Sequence, residues 1–138
     1  MRSAATVFLV ASLTIAAPLS AKADDASDIR AAISAQLGAF NSGNGAEAYS
    51  YAAPNIKSMF PNPDVFMGMV QSAYDPVYHS QSAVFGPMKP EGPGFRQEVY
   101  LTDRKGKSWI ASYTLERQPD GSMKITGCAL RKGEDVAV

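Results

Sequence analysis

The 138-residue chain has a single cysteine, Cys128, and a single histidine, His79. One thiol cannot close an internal disulfide. In a strand-like run it reads instead as a small buried apolar side chain. One histidine leaves a zinc or non-haem iron site only carboxylates to draw on, and these lack metal-ligand spacing. Neither a metal nor a cofactor is expected. Basic residues do not gather into runs. The 13 Lys and Arg are matched by 13 Asp and Glu, and "DRKGK" at 103–107 reads as a solvated turn. Such a chain has no electrostatic reason to bind nucleic acid. Long hydrophobic runs are missing too. The apolar stretch "AATVFLVASLTIAAPL" is interrupted by Ser12, Thr14 and Pro18 and is too short to span a bilayer comfortably.

That stretch has another reading. Arg2 supplies a positive start, the apolar run follows, and "SAKA" places Ala21 and Ala23 in the small-x-small pattern before Asp24 and Asp25. This order describes a secretory signal peptide over 1–23, cut after Ala23. The mature domain would be 24–138, periplasmic or secreted, with no membrane anchor left after cleavage. Removing Arg2 and Lys22 leaves 11 basic against 13 acidic residues, a net charge of −2. One domain of this size can bury a core without staples.

The mature chain divides into an early helical half and a late strand half. Ile29, Ile33, Leu37 and Phe40 recur at helical spacing and predict a helix over 28–40. "NSGNG" supplies the glycine and asparagine that end it. Asn44 with Glu47 three residues on predicts a capped short helix to Tyr51. Pro54 opens a third helix, "PNIKSMF". Asn62, Pro63 and Asp64 form a helix start, and Phe66, Met69, Val70, Ala73 and Tyr74 make one stripe that stops near Asp75, because Pro76 follows. "PVY" then reads as the start of a strand leading to His79.

After that the period becomes two. "SAVFGPM" predicts a first strand stopped by Pro87 and the loop "KPEGPG". Phe95, Gln97, Val99 and Leu101 alternate with Arg96, Glu98, Tyr100 and Thr102. Trp109, Ala111, Tyr113 and Leu115 share one side, with Ile110 on the other. Met123, Ile125, Gly127 and Ala129 share a side of the last strand. Turns "DRKG" and "PDG" make these antiparallel hairpins. Helices followed by an antiparallel meander give an α+β fold, with the N-terminal helices packed in the concave face of a curved sheet. Such a cone has a natural cavity between helices and sheet.

The block "AFNSGNGAEAYSYAAPNIKSMFPNPDVFMGMVQSAYDPVYHSQSAVFGP" resembles the bacterial family known as domain of unknown function 4864. The shared frame is Phe40, Ala48, Ala52 with Pro54, Ile56, Phe60, Phe66, Met69-Val70, Tyr74, Pro76-Val77 and Phe85-Gly86. The resemblance continues more weakly to about Arg131. It implies a cystatin-like, nuclear transport factor 2-like cone and no particular activity, since that superfamily hosts isomerases, dehydratases and binding modules. Other members often carry arginine where this chain has His79, which argues against a shared catalytic histidine.

The expected cavity wall is Phe40, Phe60, Phe66, Met69, Val70, Tyr74 and Tyr78, apolar and aromatic enough to hold a small apolar ligand or a protein partner. His79 is expected to be a surface or hydrogen-bonding group rather than a general base. An isomerase or hydratase would need a buried Asp, Glu or His beside a tyrosine hydroxyl, and Asp64 and Asp75 are better explained as helix-start and turn residues. A non-catalytic binding module is therefore favoured over an enzyme. A third reading is a homodimer through the outer sheet face, where Ile110 and Tyr100 stand.

Overall fold

The structure, a computed structural model, describes residues 3, 10–12 and 18–133, the side chains of 18–23 excepted. The expected leader, 1–23, therefore lies largely outside the described residues. Five helices precede four strands: α1 (Pro18–Ser42), α2 (Gly45–Ser50), α3 (Pro54–Met59), α4 (Pro63–Ala73), α5 (Asp75–Tyr78), β1 (Ser82–Glu91), β2 (Gly94–Thr102), β3 (Ser108–Arg117) and β4 (Met123–Lys132). The strands form one open antiparallel sheet in the order β1-β2-β3-β4. The architecture is α+β.

The helix ends follow local chemistry. Gly43 closes α1 at φ +70°, and the Asn44 N–H reaches back to the Ala39 carbonyl at 2.8 Å. This is the six-to-one bond of a glycine-terminated helix. Asn44 Oδ1 accepts from the Glu47 N–H at 3.2 Å, and Asn62 Oδ1 from the Val65 N–H at 2.9 Å. Each satisfies an orphan donor of the first helical turn. The stripes then meet one sheet face. Ile29, Ile33, Leu37 and Phe40 from α1 join Phe66 and Val70 from α4. They pack with Val99, Leu101, Ala111, Tyr113, Leu115, Met123 and Ile125 in one core. Each such aliphatic or aromatic side chain contributes about 1.5–3 kcal/mol by leaving water.

Several expectations need correction. Helix α1 begins at Pro18, ten residues before the helix predicted at Asp28, and its last turn reaches Ser42. Pro76 does not open a strand. It sits in the first turn of α5, where its missing N–H is harmless, and His79 caps that turn's C-terminus. Strand β1 does not stop at Pro87 but runs on to Glu91. It lies at the sheet edge, where proline is tolerated. Gly86 and Pro87 bulge between Phe85 and Met88. Gln97, buried beneath, fills the gap in the ladder, its Nε2 donating to the Gly86 carbonyl at 2.9 Å.

A second bulge changes the facing of β4. Leu115 pairs with Ile125 while Thr114 pairs with Gly127, so Thr126 is the extra residue. A residue inserted into a period of two exchanges the faces beyond it. Cys128 and Leu130 consequently pack against the core, and Ala129, expected inside, is exposed. Ile110 stands on the outer face as expected but is buried there within the single chain, only 5% exposed. It is thus not an open contact for a second copy. The large exposed apolar side chain of that face, among the described residues, is Val84, paired with half-buried Tyr100.

The edge of β4 is partly covered. Ala52 bridges to Ile125 in parallel, with the Ala53 N–H to Ile125 carbonyl bond at 2.8 Å and the Ile125 N–H to Tyr51 carbonyl bond at 2.9 Å. Asn55 Nδ2 adds a bond to the Thr126 carbonyl at 2.9 Å. These bonds dock α3 against the bulged part of β4.

Candidate functional site

The docking of α3 leaves space behind it. A half-open cavity of about 230 Å³ lies between α1, α3, α4, α5 and the β3–β4 pair. Its lining is Gln36, Phe40, Ile56, Met59, Phe60, Phe66, Met69, Val70, Tyr74, Val77, Tyr113, Ile125, Thr126, Gly127 and Cys128. No charged side chain takes part. Met59, lining the cavity yet 65% exposed, stands at its rim.

The aromatic wall is held by geometry that aromatic quadrupoles favour. The Phe66 ring lies 5.9 Å from Phe40, 5.6 Å from Tyr49 and 6.3 Å edge-on from Phe60. The Tyr49 hydroxyl donates to the Phe60 carbonyl at 2.5 Å and so fixes the end of α3. Gln36, buried in the middle of α1, donates to the Ala48 carbonyl at 3.1 Å and ties α1 to α2. The wall is therefore braced by hydrogen bonds from Tyr49, outside the cavity, and Gln36, part of its lining.

The structure brings Phe40, Phe60, Phe66, Met69, Val70 and Tyr74 together around this space. Tyr78 does not line it. That ring is buried behind the wall, 5.9 Å from Phe40, and its other side meets His79 at 4.7 Å. Sequence reasoning missed the far wall: Tyr113, Ile125, Thr126, Gly127 and Cys128. Tyr113 was legible as inward-facing from its alternation, but the β4 bulge that turns Cys128 inward has no clear local signal.

Tyr113 and Cys128 are cross-strand neighbours. Tyr113 is 1% exposed, and its hydroxyl shows less than 1 Å² to solvent and has no regular hydrogen-bond partner. The Cys128 sulfur acts on it as a weak and irregular hydrogen-bond partner, so what the hydroxyl lacks is a regular one. Burial pushes the Tyr113 hydroxyl well above the usual phenol range. It pushes the Cys128 thiol up to about 12. Both groups are protonated at neutral pH, because low-polarity surroundings disfavour an anion.

His79 is outside the cavity. Its Nδ1 lies 3.0 Å from Asp75 Oδ1, which also accepts from Arg104 Nη2 at 3.1 Å. This is a surface network at the end of α5. Because the lining holds no Asp, Glu or His, the cavity offers Tyr113 no carboxylate or imidazole as a base. Among the described residues no cluster of three or more His, Cys, Asp or Glu could hold a metal ion. Nor, among the described residues, is any helix long and apolar enough to cross a membrane. A second, more open groove of about 410 Å³ runs between α1 and the β3–β4 turn, floored by Ala31, Ala32 and Ala35.

The helix-then-meander order and the aromatic wall define an α+β protein with a half-open apolar cavity between its helices and its sheet. A family model described as domain of unknown function, DUF4864, matches residues 22–138. The chain belongs to that family. No curated protein and no solved structure matches it.

Proposed function

We propose that this chain is an exported, non-catalytic module of the cone-like, nuclear transport factor 2-like type that takes a small apolar ligand. The observation carrying this reading is the 230 Å³ cavity, whose lining is mainly apolar and aromatic with no charged group. Proteins normally pack with few voids larger than water. An apolar cavity of about 150 Å³ already binds benzene. The flexible thioethers of Met59 and Met69 suit a site that adapts to its occupant. Export rests on the Arg2, apolar run and "SAKA" order, and a cut after Ala23 would leave Asp25 and Asp28, both partners of Arg117, on the mature chain.

Benzene titration followed by methyl NMR tests the binding reading. Saturable shifts are expected at Met59, Met69, Val70 and Ile125. Val70→Phe, which fills the space, should abolish them. Absence of any saturable shift at the solubility limit of benzene would defeat the proposal. For export, N-terminal sequencing of the protein recovered from the periplasm or medium should read from Asp24.

A further inference from the structure

Every group in the cavity wall that could hold a ligand's polar end is neutral. A ligand carrying a formal charge would lose its hydration there and gain no counter-ion. The part of an occupant held within the cavity is therefore uncharged. Its size follows from the volume. If about 150 Å³ accepts the six carbons of benzene, then 230 Å³ accommodates about nine non-hydrogen atoms.

Its polar end is read from Tyr113. A buried hydroxyl without a partner is an exception that calls for a physical account. Here the unpartnered hydroxyl belongs to a residue of the cavity wall and stands beside a second protonated group, the Cys128 thiol. A phenol is a good donor and a thiol a weak one. Two neighbouring donors match one carbonyl oxygen, which has two lone pairs. Closed off from water, the Tyr113 O–H has no solvent competitor for that oxygen, and such a bond is stronger in a low-polarity site. The hydroxyl shows less than 1 Å² to water, so a ligand oxygen reaches it only when a wall side chain such as the flexible Met69 shifts.

Resting on the binding reading above, we propose that the ligand is an uncharged, mainly hydrocarbon molecule bearing one carbonyl-type acceptor, whose oxygen takes the hydrogen bond that Tyr113 lacks. This makes Tyr113 the specificity-determining residue of the cavity. Its neighbour Cys128 is a secondary donor to the same oxygen.

Acetophenone and α-methylstyrene test the idea, because they share size and shape and differ in C=O against C=CH₂. Each is titrated into the wild-type protein and into Tyr113→Phe by calorimetry or NMR. The ratio of the two affinities cancels the different solubilities of the probes. It is expected to move about tenfold against acetophenone in Tyr113→Phe, the value of one neutral hydrogen bond. A change of less than threefold, or in the opposite direction, overturns the inference while leaving the binding reading intact. Failure of both probes to bind wild type overturns both. An independent readout needs no variant: the carbonyl stretch of bound acetophenone should lie below its position in hydrocarbon solvent. An unshifted stretch also overturns the inference.

Discussion

Removing the Tyr113 hydroxyl should make this protein more stable. On folding, that oxygen and its proton leave water and meet no regular partner. An unsatisfied buried polar group of this kind costs about 1–3 kcal/mol. Against that stands the dispersion contact of one oxygen, a few atom pairs at about 0.1–0.2 kcal/mol each. Tyr113→Phe keeps the ring, which is 1% exposed and belongs to the same core cluster as Val99, Leu101, Ala111 and Leu115. The net expectation is a gain of about 1 kcal/mol. For a domain of about 110 residues this raises Tm by roughly 3–5 °C. Urea unfolding at pH 7 should show the same gain as a higher midpoint with an unchanged slope. A Tm equal to or below that of the wild type would refute the reasoning, for it would mean that the hydroxyl is bonded in the free protein and is not available to a ligand.

Other consequences are equally direct. Cys128, with its thiol raised from 9.0 to about 12, should alkylate about a thousandfold more slowly at pH 8 than an unperturbed thiol, because only the thiolate reacts; labelling at the rate of the urea-unfolded chain would contradict its inward placement. The same raised group, with Tyr113, leaves stability intact below pH 9 and erodes it as pH climbs from there, since the unfolded chain ionises first; a flat Tm between pH 9 and 11 would count against both. Asn62→Ala removes the acceptor for the Val65 N–H and should lower stability by about 1 kcal/mol, read by thermal unfolding; no loss would show the cap to be idle. Asp103 accepts from Trp109 Nε1 at 3.0 Å and from the Lys105 and Lys107 N–H groups at 2.8 and 2.9 Å, and these bonds, the tryptophan's first, hold its carboxyl below the usual range. Its stabilisation is present above the ordinary value of 3.8 and is lost as pH falls below it. Trp109 fluorescence should follow that loss in wild type, and Asp103→Asn should lack this component of the acid transition.

What could be read along the chain was whatever neighbours in sequence decide. Asn44 with Glu47 and Asn62 with Pro63 mark helix starts because a cap needs only an oxygen three residues from an N–H. The stripe of Ile29, Ile33, Leu37 and Phe40 reveals a buried helix face because the helix period is intrinsic to the backbone. The hairpin turns and the alternation of β2 and β3 are legible for the same reason, and together they are enough for the α+β class. Five cavity-wall residues, Phe40, Phe66, Met69, Val70 and Tyr74, lie on stripes of this kind, and Phe60 ends the short helix α3. Tyr78 was drawn into that set by its chemistry, yet α5 turns it behind Phe40.

The bulges were decided elsewhere. Pro87 would end a central strand, but β1 is an edge, and whether a strand is an edge depends on the order of all four. Thr126 becomes an extra residue in β4 where the chain from Tyr51 to Asn55 pairs with that edge, a contact between segments about seventy residues apart. That one insertion turns Cys128 towards the helices and sets it beside Tyr113. Sequence alone determined that a sheet would cover a helix stripe. Only the tertiary structure decided that α3 and α4 would stand off from β4 and leave a space there, because a cavity is the volume that packed side chains fail to fill and no single segment encodes it.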